Sequence, residues 1–175
     1  MPSFTKKAIV ESFLRLAGKK PLDKITVRDI VDDCGINRNT FYYYFQDIYA
    51  VLEEICHSVT LRIQSEQTLA ATLSSFYRIL SDFTASYPHA ARSLSISMGF
   101  EGMERYFATD LDGLIMDCYA RAVQSIPSPT ALRMLRHALL GLCLDLFKSG
   151  KPAPDVAEEL ALLLAPFPLT KPDKN

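Results

Sequence analysis

The run that most constrains this chain is residues 35–45, Gly-Ile-Asn-Arg-Asn-Thr-Phe-Tyr-Tyr-Tyr-Phe. It follows a compact helical pattern, Thr26 to Cys34, and precedes a fresh helix start at Asp47. Gly35 can take the positive φ that a sharp turn between helices needs. Thr26 and Asp29 have capping-box spacing, with Asp in place of the usual Glu or Gln. Asn37 suits the N-cap of the next helix. Successive helical residues step by about 100°. With Phe41 inward, Tyr44 and Phe45 return to its side, while Asn39, Tyr42 and Tyr43 point away. Phe41 and Phe45 already fill the inner face, so Tyr42 and Tyr43 face water, another part of the protein, or a partner. Tyr44 reads as core. Helix, glycine turn and second helix form a helix-turn-helix, which places a short helix in the DNA major groove.

The remaining chain repeats apolar residues at helical spacing and shows no β pattern longer than three residues. About nine helices are predicted, an all-α fold. The first runs from a Ser3 cap to about Ala17 and ends at Gly18-Lys19-Lys20-Pro21. Ile36, Phe41 and Phe45 should close a small core with Phe13, Leu16, Ile30 and Val31. A fourth helix, 47–68, carries Leu52, Ile55, Cys56, Val59 and Ile63 inward and links an N-terminal unit, 1–46, to a second, 47–175. The next helices are expected at 70–87, 90–98 and 103–124. Ser128-Pro129 then starts a helix that continues to Lys148, and a last one begins at Asp155.

Charge says little about partners. Of the 175 residues, 19 are Lys or Arg and 20 are Asp or Glu. The first fifty residues have a balance of +2 and the rest −3. That asymmetry agrees with a DNA-facing N-terminus, but there is no basic arm. The four cysteines are widely spaced and sit in apolar helical patterns, so they read as buried reduced thiols. The charged N-terminus does not read as a signal peptide. The longest apolar stretches are too short to cross a bilayer, so a cytoplasmic protein with no membrane partner is expected.

Chemistry-bearing clusters are scarce. Glu53-Glu54, Asp110-Asp112 and Glu158-Glu159 read as solvated helix faces. His57, His89 and His137 have no partner at a readable spacing, and no glycine-rich phosphate loop is present. No enzyme activity, cofactor or metal is expected. Phe76, Tyr77, Phe83, Met98, Met103, Tyr106, Phe107, Met116 and Tyr119 read either as ordinary core or, taken as a set, as an adaptable ligand chamber. Leu132, Leu135, Leu139, Leu142 and Leu146 repeat at steps of three and four, which marks a helix–helix seam. Leu140, Cys143, Leu144 and Phe147 make a second stripe beside it. With Val156, Leu160 and Leu163 of the last helix, the seam suggests a four-helix dimer interface. A core within one chain is the alternative.

The run Thr26-Val27-Arg28-Asp29-Ile30-Val31, followed by Cys34-Gly35-Ile36-Asn37-Arg38-Asn39-Thr40-Phe41-Tyr42-Tyr43-Tyr44-Phe45, resembles the TetR family of bacterial transcriptional regulators. The match covers about residues 8 to 55. It implies a homodimer on a roughly palindromic operator, usually a repressor controlled by a small-molecule effector. Carried over by position, Arg28, Arg38, Asn39 and Thr40 would approach base edges, and Thr26, Asn37, Tyr42 and Tyr43 would hold phosphates. Three positions depart from the family pattern. Tyr44 stands where histidine is common, Ile48 where lysine is common, and Asn39 where glycine or alanine is frequent. The missing lysine and the modest charge leave a rival function, a coactivator that works through protein contacts without DNA.

Overall fold

The computed structural model describes residues 4–63, 69–123 and 127–152, and the single positions 156, 159 and 162. Among these residues there are seven α-helices and no strand: α1 Phe4–Ala17, α2 Val27–Cys34, α3 Arg38–Tyr44, α4 Ile48–Thr60, α5 Leu69–Ser86, α6 Pro88–Val123 and α7 Pro129–Ser149. A short 3-10 turn at Leu22–Lys24 joins α1 to α2. The buried apolar side chains form one continuous cluster from Ile9 to Val156, so no polar boundary divides the core between its N-terminal and C-terminal helices.

Local chemistry explains the N-terminal boundaries. Thr26 caps α2 in a full capping box with Asp29, and Gly35 ends that helix at φ 70°, ψ 32°. A Cβ there would meet nothing within 4 Å, so the backbone conformation, not space, requires glycine. Asn37 Oδ1 accepts from the Thr40 amide at 2.8 Å and starts α3. Phe45 leaves helical geometry and ends it, and Asp47 starts α4 by accepting from the Ala50 amide at 2.8 Å.

Three differences from the sequence reading matter. First, the helix expected over 47–68 stops at Thr60. Arg62 and Ile63 amides bond to Val59 and Thr60 carbonyls in tight turns. Thr60 Oγ1 donates to Asp110 Oδ2 at 2.6 Å, which anchors that end to α6. Residues 64–68 lie outside the described residues. Second, the two helices expected over 90–98 and 103–124 follow each other directly across the expected glycine break, at Gly99 (φ 60°, ψ −164°), and are counted together as α6. A Cβ on Gly102 would stand 2.5 Å from the Met98 Cβ, so this second glycine lets the chain fold closely past the kink. Third, the last expected helix is represented by the helical positions 156, 159 and 162, and its remainder is not described. Ser3 is likewise outside the described residues. These points reduce the expected nine helices to the seven observed among the described residues.

α6 packs against α1, α4, α5, α7 and the 3-10 turn, and so connects the N-terminal helices to the rest. Between α4 and α6, His57 Nδ1 lies 3.1 Å from Asp110 Oδ2. Between α6 and α7, Arg136 donates to Asp112 and, at 3.1 Å, to Glu104, while His137 Nε2 meets Glu104 at 2.9 Å. The carboxylates read from sequence as a solvated face therefore bridge helices, and His57 and His137 find partners 53 and 33 residues away.

Candidate nucleic-acid interface

α3 is only seven residues long, so packing rather than intrinsic propensity holds it in place. Phe41 is fully buried and meets Phe45 at a ring separation of 6.0 Å. With that side anchored, Arg38, Asn39, Tyr42 and Tyr43 are exposed, and Thr40 is half-buried. Tyr43 is 81% exposed and Tyr42 53%, the two largest exposed rings of the module apart from Phe4. Tyr42 stands edge-on to Phe41 at 5.6 Å, and Tyr43 edge-on to Tyr44 at 4.9 Å. Aromatic edges thus brace both exposed tyrosines from below and restrict where their hydroxyls reach.

Several side chains are already engaged within the module. The Thr26 hydroxyl donates to Asp29 Oδ2 at 2.6 Å while accepting from the Asp29 amide at 3.2 Å. Its proton is therefore committed to the cap, and an outside phosphate would have to compete for it. Asn37 Oδ1 accepts from the Thr40 amide and, at 3.0 Å, from the Thr40 hydroxyl. The Asn37 amide nitrogen is left to face outward as a donor. Arg28 makes an exposed pair with Asp32 at 3.5 Å. Arg38 has no carboxylate partner among the described residues.

Pairs invisible in the sequence stiffen the module around this face. Lys6 Nζ reaches Glu54 at 2.6 Å and lies 5.7 Å from the centre of the Phe45 ring, which clamps α1 to α4 over the end of α3. Arg15 meets Asp33 at 2.6 Å, and the buried Ser12 hydroxyl donates to the Ile30 carbonyl at 3.3 Å. Lys20 meets Asp29 at 2.8 Å. The Lys20 ammonium first, and then Thr26, hold the Asp29 carboxyl down at about 2.

Among the described residues, those read as a ligand chamber border more than one cavity. Phe76 and Met103 are fully buried, and Phe76 stacks edge-on with Phe107 at 5.7 Å. Tyr77 is buried, Tyr119 is half-buried and Met116 is exposed. Phe83, Met98 and Phe107 line a wholly apolar gap between α4, α5, α6 and α7 of about 20 Å³, the size of a single small molecule such as water. Met98 and Tyr106 instead border an open cleft of about 360 Å³ with Tyr49, Glu101 and Arg105. Burial, with lesser effects from Glu53 and Cys56, pushes the Tyr106 phenol above its ordinary range.

The leucine seam is also divided. Leu139 and Leu146 are buried inside the protomer, together with Leu140, Cys143, Leu144 and Phe147. Leu132, Leu135 and Leu142 are half-buried. The apolar surface that α7 leaves outward is shifted round the helix, to Met134, at 68% exposure, and Ala138. Val156 is buried in the protomer, Leu162 is exposed, and Leu160 and Leu163 lie outside the described residues. The four cysteines are thiols outside any disulfide, three buried and Cys34 half-buried. Burial raises the Cys56 thiol to about 12, and Cys143 rises for the same reason. Among the described residues no group of His, Cys, Asp or Glu is placed to hold a metal ion, and no helix is long and apolar enough to cross a membrane.

Residues 9–55, which include α2, the glycine turn and α3, match the family model for bacterial regulatory proteins of the tetR family. Residues 9–55 thus form a helix-turn-helix module of the tetR type. Solved structures extend the likeness in fold over nearly the whole TetR-like chain. One is a dihydroxyacetone kinase operon activator, DhaS, with a TM-score of 0.65 and 16% identity, over 94% of this chain and 96% of that one. Another is a TetR transcriptional regulator from Streptococcus agalactiae 2603V, with a TM-score of 0.58 and 20% identity, over 91% and 93%. NalD, the secondary repressor of the MexAB-OprM multidrug efflux pump in Pseudomonas aeruginosa, has a TM-score of 0.51 and 21% identity, over 93% and 94%. A search of curated proteins found no match.

Proposed function

We propose that this chain acts as a TetR-like transcriptional regulator, a cytoplasmic homodimeric repressor that binds a palindromic DNA operator and responds to a small-molecule effector. The observation that carries the reading is the outer face of α3. Arg38, Asn39, Tyr42 and Tyr43 are exposed together there, on a helix fixed from behind by Phe41. Arg38 and Asn39 supply the forked donors that read guanine and adenine edges. Tyr42, Tyr43 and the Asn37 amide are neutral donors suited to phosphate oxygens, which set register without reading sequence. In this reading residues 1–46 form the DNA-binding unit, and 47–175 the effector and dimerisation unit.

The outward strip of α7, Met134 and Ala138 with half-buried Leu142, is the surface we assign to the partner protomer. Gly141 permits close approach there, since a Cβ at that position would meet nothing within 4 Å of its own chain. An effector larger than a single water would have to spread the apolar gap beside Phe83, Met98 and Phe107. That repacking bears on α4, whose Leu52, Ile55, Cys56 and Val59 form its opposite wall, and only three residues separate the end of α3 from the start of α4. Moving α4 would shift the recognition helices relative to each other without altering their chemistry.

Selection from random duplex DNA, followed by a mobility-shift assay, tests the core of the reading. Enrichment of one inverted repeat with half-sites about one helical turn apart is the expected result. Recovery of no enriched sequence at physiological salt would overturn it. A reporter placed behind the selected site should be silenced by the protein; stimulation would overturn the repressor assignment alone. Of the structures similar in fold, one is described as an activator and one as a repressor, so the fold accommodates both.

A further inference from the structure

A second concave surface lies at the joint between α1 and α6, away from the apolar gap just described. Gly18 to Pro21, after α1, form one wall, and His89 to Ser97 of α6 form the other, around a cleft of about 310 Å³. Its lining is one-sided in charge. Lys19, Lys20, Arg92 and His89 contribute nitrogen donors, and no Asp or Glu is among the described residues that line it. Lys20 is held by Asp29. Lys19 and Arg92 are exposed and have no carboxylate partner among the described residues. In a chain of net charge −1, two cations without an ion pair on one cleft are a local excess of positive charge.

The walls are fixed, not adventitiously close. The Ser93 hydroxyl donates to the Lys20 carbonyl at 3.4 Å, and the Leu22 amide donates to Ser97 Oγ at 3.3 Å. Gly18 lies against His89, whose Cβ would stand 3.4 Å from a Cβ at position 18. The floor is partly apolar, with Ala17, Pro21 and the exposed side chain of Ile96. We propose that this cleft binds a small organic anion, a phosphate or carboxylate held by Lys19 and Arg92, with its carbon portion against Ile96 and Pro21. Arg92 matches the oxygen pairs of either group with two parallel donors, and Lys19 adds a point charge. The volume suits a small ligand. A bound anion would add a third tie between α6 and the segment after α1, beside the two hydrogen bonds.

The assignment needs no DNA, so it stands or falls apart from the operator reading. Amide chemical shifts of the full chain, followed by two-dimensional NMR during titration with inorganic phosphate and then phenyl phosphate at constant ionic strength, test it. Saturable shifts should cluster at Gly18, Lys19, His89, Ser93 and Ser97, with phenyl phosphate the tighter ligand. Arg92→Gln should weaken binding by about tenfold, the value of one charge-assisted bond, and Lys19→Gln with Arg92→Gln should abolish it. Both side chains are exposed, so unchanged shifts for the Thr26 and Asn37 caps will show that the variants fold. Shifts that never saturate and spread over the exposed lysines and arginines would overturn the site. So would saturable shifts confined to residues 37–43, which would place the anion on the recognition helix, or an unchanged affinity in the double variant.

Discussion

Operator affinity should fall gently as salt rises, because the module has already committed most of its cations. Lys6, Arg15 and Lys20 make pairs at 2.6, 2.6 and 2.8 Å with Glu54, Asp33 and Asp29. Lys7 and Lys24 make looser exposed pairs at 3.8 and 3.3 Å. On the DNA-facing side, Arg38 has no carboxylate partner among the described residues, and the Arg28 side chain is 78% exposed in a loose pair. The other proposed phosphate contacts, Asn37, Tyr42 and Tyr43, are neutral and release no counterions. Two arginines per protomer, with a lysine at most from each, let a dimer neutralise roughly four to six phosphates, for a slope of log K against log salt of about −4 to −5. Raising salt from about 50 to about 200 mM should then weaken binding by roughly 250- to 1000-fold. Fluorescence anisotropy with a labelled operator across such a series reads the slope directly. A slope steeper than about −8 would refute the reasoning. It would mean that Lys6, Lys20 and their neighbours leave their carboxylates for phosphates, and that the ion pairs do not hold in the complex.

Tyr43→Phe should weaken all operator variants alike by about 1 kcal/mol, whereas Asn39→Ala should relax preference at one base pair per half-site by about 1–3 kcal/mol; a base-specific effect of Tyr43→Phe in the same anisotropy assay would reverse the two roles. The Asp29 carboxyl is depressed to about 2, chiefly by Lys20. Its contribution is therefore complete above the unfolded value near 4 and lost as pH falls toward 2; for this part-exposed group it amounts to about 1 kcal/mol. Chemical denaturation should show wild type ahead of Asp29→Asn at neutral pH and the gap closing between about pH 4 and 2; a gap that holds constant would exclude the linkage. Met134→Glu should turn a dimer into a folded monomer by sedimentation, whereas Leu139→Glu should unfold the chain because Leu139 is buried in its own protomer. A wild-type protein that sediments as a monomer at micromolar concentration would remove the dimer proposal.

The local features of the N-terminal module were legible in the sequence because each depends on chemistry within a few residues. The caps at Thr26, Asn37, Asp47 and Ser128 are side chains that accept from an amide three positions on. The positive φ of Gly35 follows from a turn that only a residue without a Cβ adopts cheaply. The exposure of Tyr42 and Tyr43 followed from the 100° step once Phe41 and Phe45 took the inner face. Tertiary structure decided what depends on distant partners. Spacing could not pair His57 with Asp110 or His137 with Glu104, nor show that Lys6 is spent on Glu54. On α7 two apolar stripes lie side by side, and periodicity alone could not say which would face inward. Packing against α5 and α6 buried Leu139 and Leu146 with the second stripe and left Met134 outside. The end of α4 was hidden for a similar reason. An apolar pattern can continue past residue 60, but the hydrogen bond from Thr60 to Asp110 holds that end against α6. A sequence displays its own neighbours; it does not display the surfaces that folding brings against them.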